Sequence, residues 1–181
     1  MTTKEPLRAA LKSAASALKA DGIPFALGGS YALWVHGAPE PEHDVDLIVR
    51  ESDADRAAEI LADAGFDVDR PPEDWIVKAA KQDAVVDVLH RLNGIPVGDE
   101  LLARAVEHDV LGVRIPVQQA GDVVLVKLRS LSEHYCDFGA LLPSVRGVRE
   151  QLDWAQLRAE TADNDFAAAF LFLADRLGLT E

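Results

Sequence analysis

Apolar residues recur along this chain at two spacings, one typical of helices and one typical of strands. Over residues 3–20, three leucines fall on a single stripe at helical spacing, which predicts an amphipathic helix that stops at an Asp-Gly pair. Residues 23–27 form a short apolar run and predict a buried strand. Residues 44–49 begin with two aspartates at alternate positions and continue as an apolar run, which predicts a second strand with both carboxylates on one face.

The same patterns predict the remaining elements. We expect further helices over 31–37, 54–65, 99–108, 121–135, 137–151, 153–161 and 164–177, and further strands over 75–78, 85–90 and 110–117. Helices and strands therefore mix in the first half, and the last third is helical. This order predicts an α/β (α+β) fold in which a core of residues 1–120 packs against a helical part of residues 121–181.

Composition narrows the class of protein. The chain has 181 residues, of which 49% are hydrophobic and 27% are charged, so it can bury one core and is not of the disordered type. A single cysteine, Cys136, excludes an internal disulfide and a multi-cysteine zinc site, and we expect it to be a small buried residue. Without a signal-peptide pattern or a run of about 18 apolar residues, we expect a cytoplasmic protein that does not span a membrane.

The charge distribution bears on the partners. The net charge of −13 argues against non-specific binding to duplex nucleic acid, which needs clustered Lys and Arg. It leaves room for a small nucleotide site, where metal ions supply positive charge locally. Residues 127–158 are slightly basic, so the rest of the chain carries the acidity and is matched in charge to a basic partner protein.

Two motifs in the first half carry candidate chemistry. Gly28-Gly29-Ser30 ends the first strand and opens a helix, an arrangement that lets a phosphate approach the backbone, although two glycines are also typical of a plain tight turn. Asp44 and Asp46 repel each other unless a cation lies between them, and hard oxygen ligands select Mg²⁺ or Mn²⁺. The alternative is that these aspartates cap and solubilise the start of the strand.

A third acidic residue strengthens the metal interpretation. Asp87 lies between valines in a predicted strand, where a buried carboxylate needs a cation or a hydrogen-bond network. The alternative is a strand position that faces solvent. Trp75 and Trp154 are aromatic residues able to stack on a base, but their amphipathic placement favours core packing.

These three spaced motifs resemble the signature of the polymerase-β-like nucleotidyltransferases over residues 22–92. The resemblance implies a mixed sheet with flanking helices. It implies that Gly28, Gly29 and Ser30 hold the phosphates of a nucleoside triphosphate (NTP). Asp44 and Asp46 would bind two Mg²⁺ ions, and Asp87 would complete the catalytic metal site and help activate the attacking hydroxyl.

The second half resembles the AbiEii-like and MenT-type toxins of toxin-antitoxin systems, in residues 122–138 and in 139–179. This resemblance implies that Lys127 is catalytic. It also implies that Lys127 and Asp137 both contact the nucleotide. It further implies transfer of a nucleoside monophosphate (NMP) to the 3′ end of tRNA, which blocks translation, and a cognate antitoxin as partner. Candidates for contacting the RNA backbone are Arg146, Arg149 and Arg158.

A continuous helix through this segment would align four polar side chains in one stripe, namely Lys127, Ser130, His134 and Asp137. The alternative is an ordinary solvated helix face.

The sequence departs from the family at residues 40–43. Many members carry Ser or Thr two residues before the first metal-binding aspartate, whereas Glu42 and His43 precede Asp44 here, and their roles stay open. Three rival functions also stay open. They are an antibiotic nucleotidyltransferase with a cationic aminoglycoside acceptor, which suits the acidic chain, a protein adenylyltransferase, and a non-catalytic nucleotide-binding domain.

Overall fold

A computed structural model describes residues 4–180 of the chain. Its strands are β1 (Phe25–Leu27), β2 (Val45–Val49), β3 (Asp67–Asp69), β4 (Ile76–Lys81), β5 (Ala84–Leu89), β6 (Arg91–Leu92), β7 (Ile95–Pro96), β8 (Val106–Val110) and β9 (Val113–Val117). Its helices are α1 (Lys4–Asp21), α2 (Gly29–Val35), α3 (Ala54–Asp63), α4 (Asp99–Ala103), α5 (Ala120–Arg129), α6 (Phe138–Val148), α7 (Trp154–Glu160) and α8 (Asp165–Arg176), with 3₁₀ turns at Glu51–Asp53 and Arg149–Gln151. The first helix is predicted to begin at Thr3, which lies outside the described residues.

Seven of these strands form one mixed sheet in the order β3-β4-β5-β2-β1-β9-β8, and β6 and β7 pair separately. The central neighbours β2 and β5 are parallel, whereas β1 runs antiparallel to β2 and β4 antiparallel to β5. This mixed sheet with flanking helices confirms the predicted α/β class.

The alternation of side chains along β2 and β5 decides where the functional face lies. Val45, Leu47 and Val49 join the buried core, as do Val86 and Val88. Helix α1 packs on the sheet and against α3, with its leucine stripe fully buried. The intervening residues of both strands point to the opposite face of the sheet, where they form the floor of a cleft.

Residues 99–117 differ from the prediction. The helix expected over 99–108 ends at Ala103, and the single strand expected over 110–117 is the second half of a hairpin formed by β8 and β9. The turn is Leu111-Gly112, and both residues have positive φ, 52° and 79°. Leucine rarely takes this conformation, so the local sequence gives little signal for the turn.

The long helix predicted over 121–135 is also wrong. Helix α5 ends at Arg129 with Ser130 as its C-cap, and the Asn164 amide donates to the carbonyl oxygens of Arg129 at 3.4 Å and of Leu131 at 3.0 Å. This long-range cap satisfies carbonyls at the helix end. The predicted stripe on one continuous helix therefore does not exist, because Asp137 instead caps the next helix, α6.

Within residues 4–180, every helix is too short or too polar to cross a lipid bilayer.

Candidate active site

Three carboxylates meet on the open face of the sheet. Asp44 directly precedes β2, Asp46 lies within β2, and Asp87 is the register partner of Asp46 on β5. One oxygen from each carboxylate lies within 4.8 Å of the others. The parallel pairing of two strands that are far apart in sequence thus brings the predicted acids to one point.

Burial and mutual repulsion make it unfavourable for the carboxylates of this cluster to be ionised together. Burial, with the neighbouring Asp44 charge as the next cause, raises the pKa of Asp46 to about 7. Burial also raises the pKa of Asp87, and hydrogen bonds from Lys78 oppose that rise. A cluster of hard oxygen ligands whose charged forms are disfavoured fits divalent cations such as Mg²⁺.

Lys78 is a site residue that sequence reasoning missed. It lies opposite Asp87 in the β4–β5 register, and its Nζ donates to both carboxylate oxygens at 3.1 and 3.2 Å. The only local signal is that Lys78 ends the apolar run of the predicted strand 75–78, and its partner depends on the strand register.

The glycine turn packs directly against the acids. Gly29 has φ +53°, and a Cβ added there would lie 1.7 Å from Oδ2 of Asp46. The amide of Gly28 also donates to the backbone carbonyl of Asp46 at 2.9 Å. Glycine is required at position 29 both by its backbone conformation and by this close approach.

Ser30 and Lys127 form the cationic side of the site. The Nζ of Lys127, in the last turn of α5, donates to Oγ of Ser30 at 3.1 Å. The charge of Lys127 also lowers the pKa of Asp46, which partly offsets the effect of burial. Residues from both the 1–120 and 121–181 segments therefore build the site.

The carboxylates, the turn and the lysine line one cleft of about 540 Å³. Asp137 also lines it, and its Oδ1 accepts a hydrogen bond from the backbone amide of Ala140 at 3.0 Å. Trp75 and Tyr135 line the cleft with 44% and 69% of their surfaces exposed. The prediction that Trp75 packs in the core is therefore wrong, whereas Trp154 does pack against the core.

The other sequence candidates lie at the edge of the cleft or outside it. His43 lines the cleft, and Glu42 is exposed and lies 3.7 Å from Lys4. Cys136 is exposed, so the prediction of a buried cysteine is wrong, because the chain leaves α5 before it and runs as a surface turn.

The three candidate arginines are surface residues. Arg158 pairs with Asp175, and Arg149 lies 3.6 Å from Glu150. Arg146 is exposed on α6, two residues and thus about half a turn from Ser144, which lines the cleft. Arg146 therefore faces away from the cleft.

Comparison with known proteins places the chain in a family. Residues 3–181 match the sequence model of a family described as "Uncharacterised nucleotidyltransferase". The chain belongs to this nucleotidyltransferase family. It is accordingly an enzyme of nucleotidyl transfer, and NTPs are the substrates of that class. No curated protein matches the sequence of this chain.

Several solved structures share the fold of this nucleotidyltransferase. ANT(2")-Ia in complex with adenylyl-2"-tobramycin is 16% identical with a TM-score of 0.57, and the match covers 90% of this chain and 95% of that one. The lincomycin-bound lincosamide antibiotic adenylyltransferase LnuA is 11% identical with a TM-score of 0.57, over 77% and 96% of the two chains. An antigenic nucleotidyltransferase-like protein from Paracoccidioides brasiliensis is 14% identical with a TM-score of 0.58, over 92% of each chain.

Proposed function

We propose that the cleft binds an NTP with two Mg²⁺ ions, for which Mn²⁺ could substitute, and transfers NMP to an acceptor hydroxyl. In this reaction the acceptor oxygen bonds to the α-phosphorus, the bond from that phosphorus to the bridging oxygen breaks, and pyrophosphate leaves. The observation that carries the proposal is the meeting of Asp44, Asp46 and Asp87 within 4.8 Å, beside the hydrogen-bonded pair of Ser30 and Lys127.

The three acids would divide the work of holding the ions. Asp44 and Asp46 would bind both ions, and Asp87 would complete the site of one of them. The ions would supply positive charge to offset the charge that develops on the reacting oxygens. Asp87 would also accept the proton of the acceptor hydroxyl as that oxygen bonds to phosphorus, the role that the resemblance to the family implies.

The phosphate side of the cleft is assigned to the glycine turn and to Lys127. The absence of side chains at Gly28 and Gly29 leaves the backbone open to phosphate oxygens, and Ser30 adds a hydroxyl donor. Lys127 supplies a point charge to the triphosphate. Asp137, on the cleft wall, accepts a hydrogen bond from a nucleotide hydroxyl.

For the acceptor we propose the 3′ end of tRNA, which makes the protein the toxin of a toxin-antitoxin pair. The support is the resemblance of residues 122–138 and 139–179 to MenT-type toxins, together with two exposed aromatic side chains in the cleft, Trp75 and Tyr135. Aromatic side chains of this kind can stack on the unpaired bases of a tRNA end. The toxin would act in the cytoplasm, and its cognate antitoxin would bind it there.

A second acceptor class is favoured by charge. Among the residues that line the cleft, four are aspartates and Lys127 is the one lysine or arginine. An acidic cleft attracts a cationic acceptor such as an aminoglycoside more strongly than it attracts RNA.

The deciding experiment incubates the protein and Mg²⁺ with each NTP, labelled at the α-phosphate, and with tRNA, an aminoglycoside or total protein. Label on tRNA supports the toxin proposal, label on the aminoglycoside supports the second candidate, and label on a polypeptide refutes both. Asp87→Asn is expected to lower the rate by about 10²-fold to 10⁴-fold, because one metal ligand is lost. Asp83 is an exposed aspartate in the turn between β4 and β5, so Asp83→Asn is the matched control and should leave the rate unchanged. Equal rates for the two variants would refute the role of the acid cluster.

A further inference from the structure

Gln118 is a buried polar residue at the wall of the cleft that the site described above does not use. Its surface is 3% exposed, and within residues 4–180 its side-chain Nε2 has no hydrogen-bond partner. The side chain nevertheless lines the cleft. Buried amide donors are normally satisfied, so a donor left free beside a binding cleft points to an acceptor supplied by a ligand.

The backbone holds Gln118 firmly in this place. Its amide donates to the carbonyl oxygen of Leu27 at 2.9 Å, and its own carbonyl oxygen accepts from Nε2 of His36 at 2.7 Å. These two bonds fix the residue between the end of β1 and the end of α2. Little freedom remains for the backbone to turn the amide toward another protein group.

The side chain of Gln118 lies against the glycine turn. A Cβ built on Gly28 would be 2.7 Å from Oε1 of Gln118 and equally close to the side chain of Ile48. Any larger residue at position 28 would therefore push the amide away. Glycine at this position gives the Gln118 side chain its room beside the turn that ends at Ser30.

We propose that Gln118 Nε2 donates a hydrogen bond to a phosphate oxygen of the NTP, next to the Gly28–Ser30 turn. This inference rests on the proposed function, in which the turn holds the triphosphate. The carbonyl end of the amide faces Gly28 of the turn. Nε2 of the same amide therefore lies next to the turn, where phosphate oxygens are the acceptors that a nucleotide would bring, so we assign Gln118 to the phosphates and not to the base. A neutral donor also adds no charge beside Asp46.

The test compares Gln118→Met with a matched neighbour. Methionine keeps the length of the side chain and removes the amide. Gln119 is exposed, and its Nε2 is already bound to the carbonyl oxygen of Arg104 at 2.9 Å, so Gln119→Met is the control. Calorimetry measures the binding of two kinds of probe with Mg²⁺, namely tripolyphosphate and each of the four α,β-methylene nucleoside triphosphates.

We expect Gln118→Met to weaken the binding of both kinds of probe by about 10-fold to 100-fold, the effect of one lost hydrogen bond to a charged group. Its thermal stability in the absence of ligand should be equal to or higher than that of the wild type, because an unsatisfied donor is gone. Gln119→Met should bind as the wild type does. If Gln118→Met does not fold, Gln118→Leu replaces it, with the same expected loss of binding because it also lacks the amide.

Two results would overturn the inference. Unchanged binding of both probes would show that the amide does not contact the ligand. Weaker binding of the nucleotides with unchanged binding of tripolyphosphate would show that it contacts the nucleoside. Failure of the wild type to bind either probe would instead refute the proposed function itself.

Discussion

Replacing Asp46 with asparagine removes a charge from the carboxylate cluster and keeps the shape of the side chain. The folded-state pKa of Asp46 is raised to about 7 from the ordinary value of 3.8. Ionisation of this carboxyl group therefore destabilises the fold. In the metal-free protein its contribution is fully present below about pH 4 and is lost as the pH rises through about 7. Asp46→Asn should abolish this loss.

The size of the effect follows from the same two pKa values. Each pKa unit corresponds to about 1.4 kcal/mol, so ionised Asp46 costs the metal-free fold about 4 kcal/mol at about pH 8 and about 2 kcal/mol at about pH 5.5. Asp46→Asn should therefore be more stable than the wild type in EDTA, with the larger gain at the higher pH. The variant should also lose nucleotidyl transfer and most of its stabilisation by Mg²⁺.

Urea unfolding in EDTA at the two pH values measures the free energies of unfolding, and a Mg²⁺ titration of the melting temperature measures the metal response. Asp67→Asn, an exposed aspartate on the edge strand β3, is the matched control and should change neither. The reasoning is refuted if Asp46→Asn is less stable than the wild type in EDTA at about pH 8. It is equally refuted if the stability difference does not depend on pH.

Three further substitutions, with one control, test the rest of the site. Gly29→Ala should cost at least about 10²-fold in activity, because its Cβ would lie 1.7 Å from an oxygen of Asp46. Gly22→Ala, also at positive φ but with nothing within 4 Å, should cost about 1 kcal/mol of stability and no activity. Lys127→Met should weaken binding of Mg²⁺-tripolyphosphate by about 10-fold in calorimetry, and unchanged affinity would contradict its role. Lys78→Met should lower metal-free stability by about 1 to 3 kcal/mol, because it leaves the buried Asp87 carboxylate without its hydrogen-bond donor. It should also enlarge the rise in melting temperature caused by Mg²⁺, and an equal rise would count against competition between this lysine and the metal.

The sequence allowed the site to be predicted where its signal is local. The apolar run of 23–27, the glycine turn after it and the aspartates at 44 and 46 are each readable within ten residues. That Asp87 joins them depends on strand order. β3 and β4 lie between β2 and β5 in the chain, but in the sheet β5 pairs directly with β2, and β4 and β3 follow on its outer side. Spacing alone does not give that order, and the resemblance to a known family supplied it.

The errors arise where distant contacts override local preference. The pattern after residue 120 continues at helical spacing, but the Asn164 amide caps α5 at Arg129 from 35 residues away. The amphipathic placement of Trp75 favours core packing, yet it lies just before β4 and lines the cleft. Gln118 gave no signal at all, since a glutamine at the end of a strand has chemical meaning only once its neighbours in space are known.

The charges of the site constrain the order in which ligands enter it. The cleft holds three clustered carboxylates and Asp137 against Lys127, while Lys78 already neutralises Asp87 from the adjacent strand. A bare triphosphate would add about four negative charges to this set, so its entry requires divalent cations. Cations alone would relieve the repulsion between the carboxylates, and a triphosphate would then fill their remaining coordination positions. Because each ligand would improve the site for the other by the same factor, we expect nucleotide and metal to bind as a coupled unit.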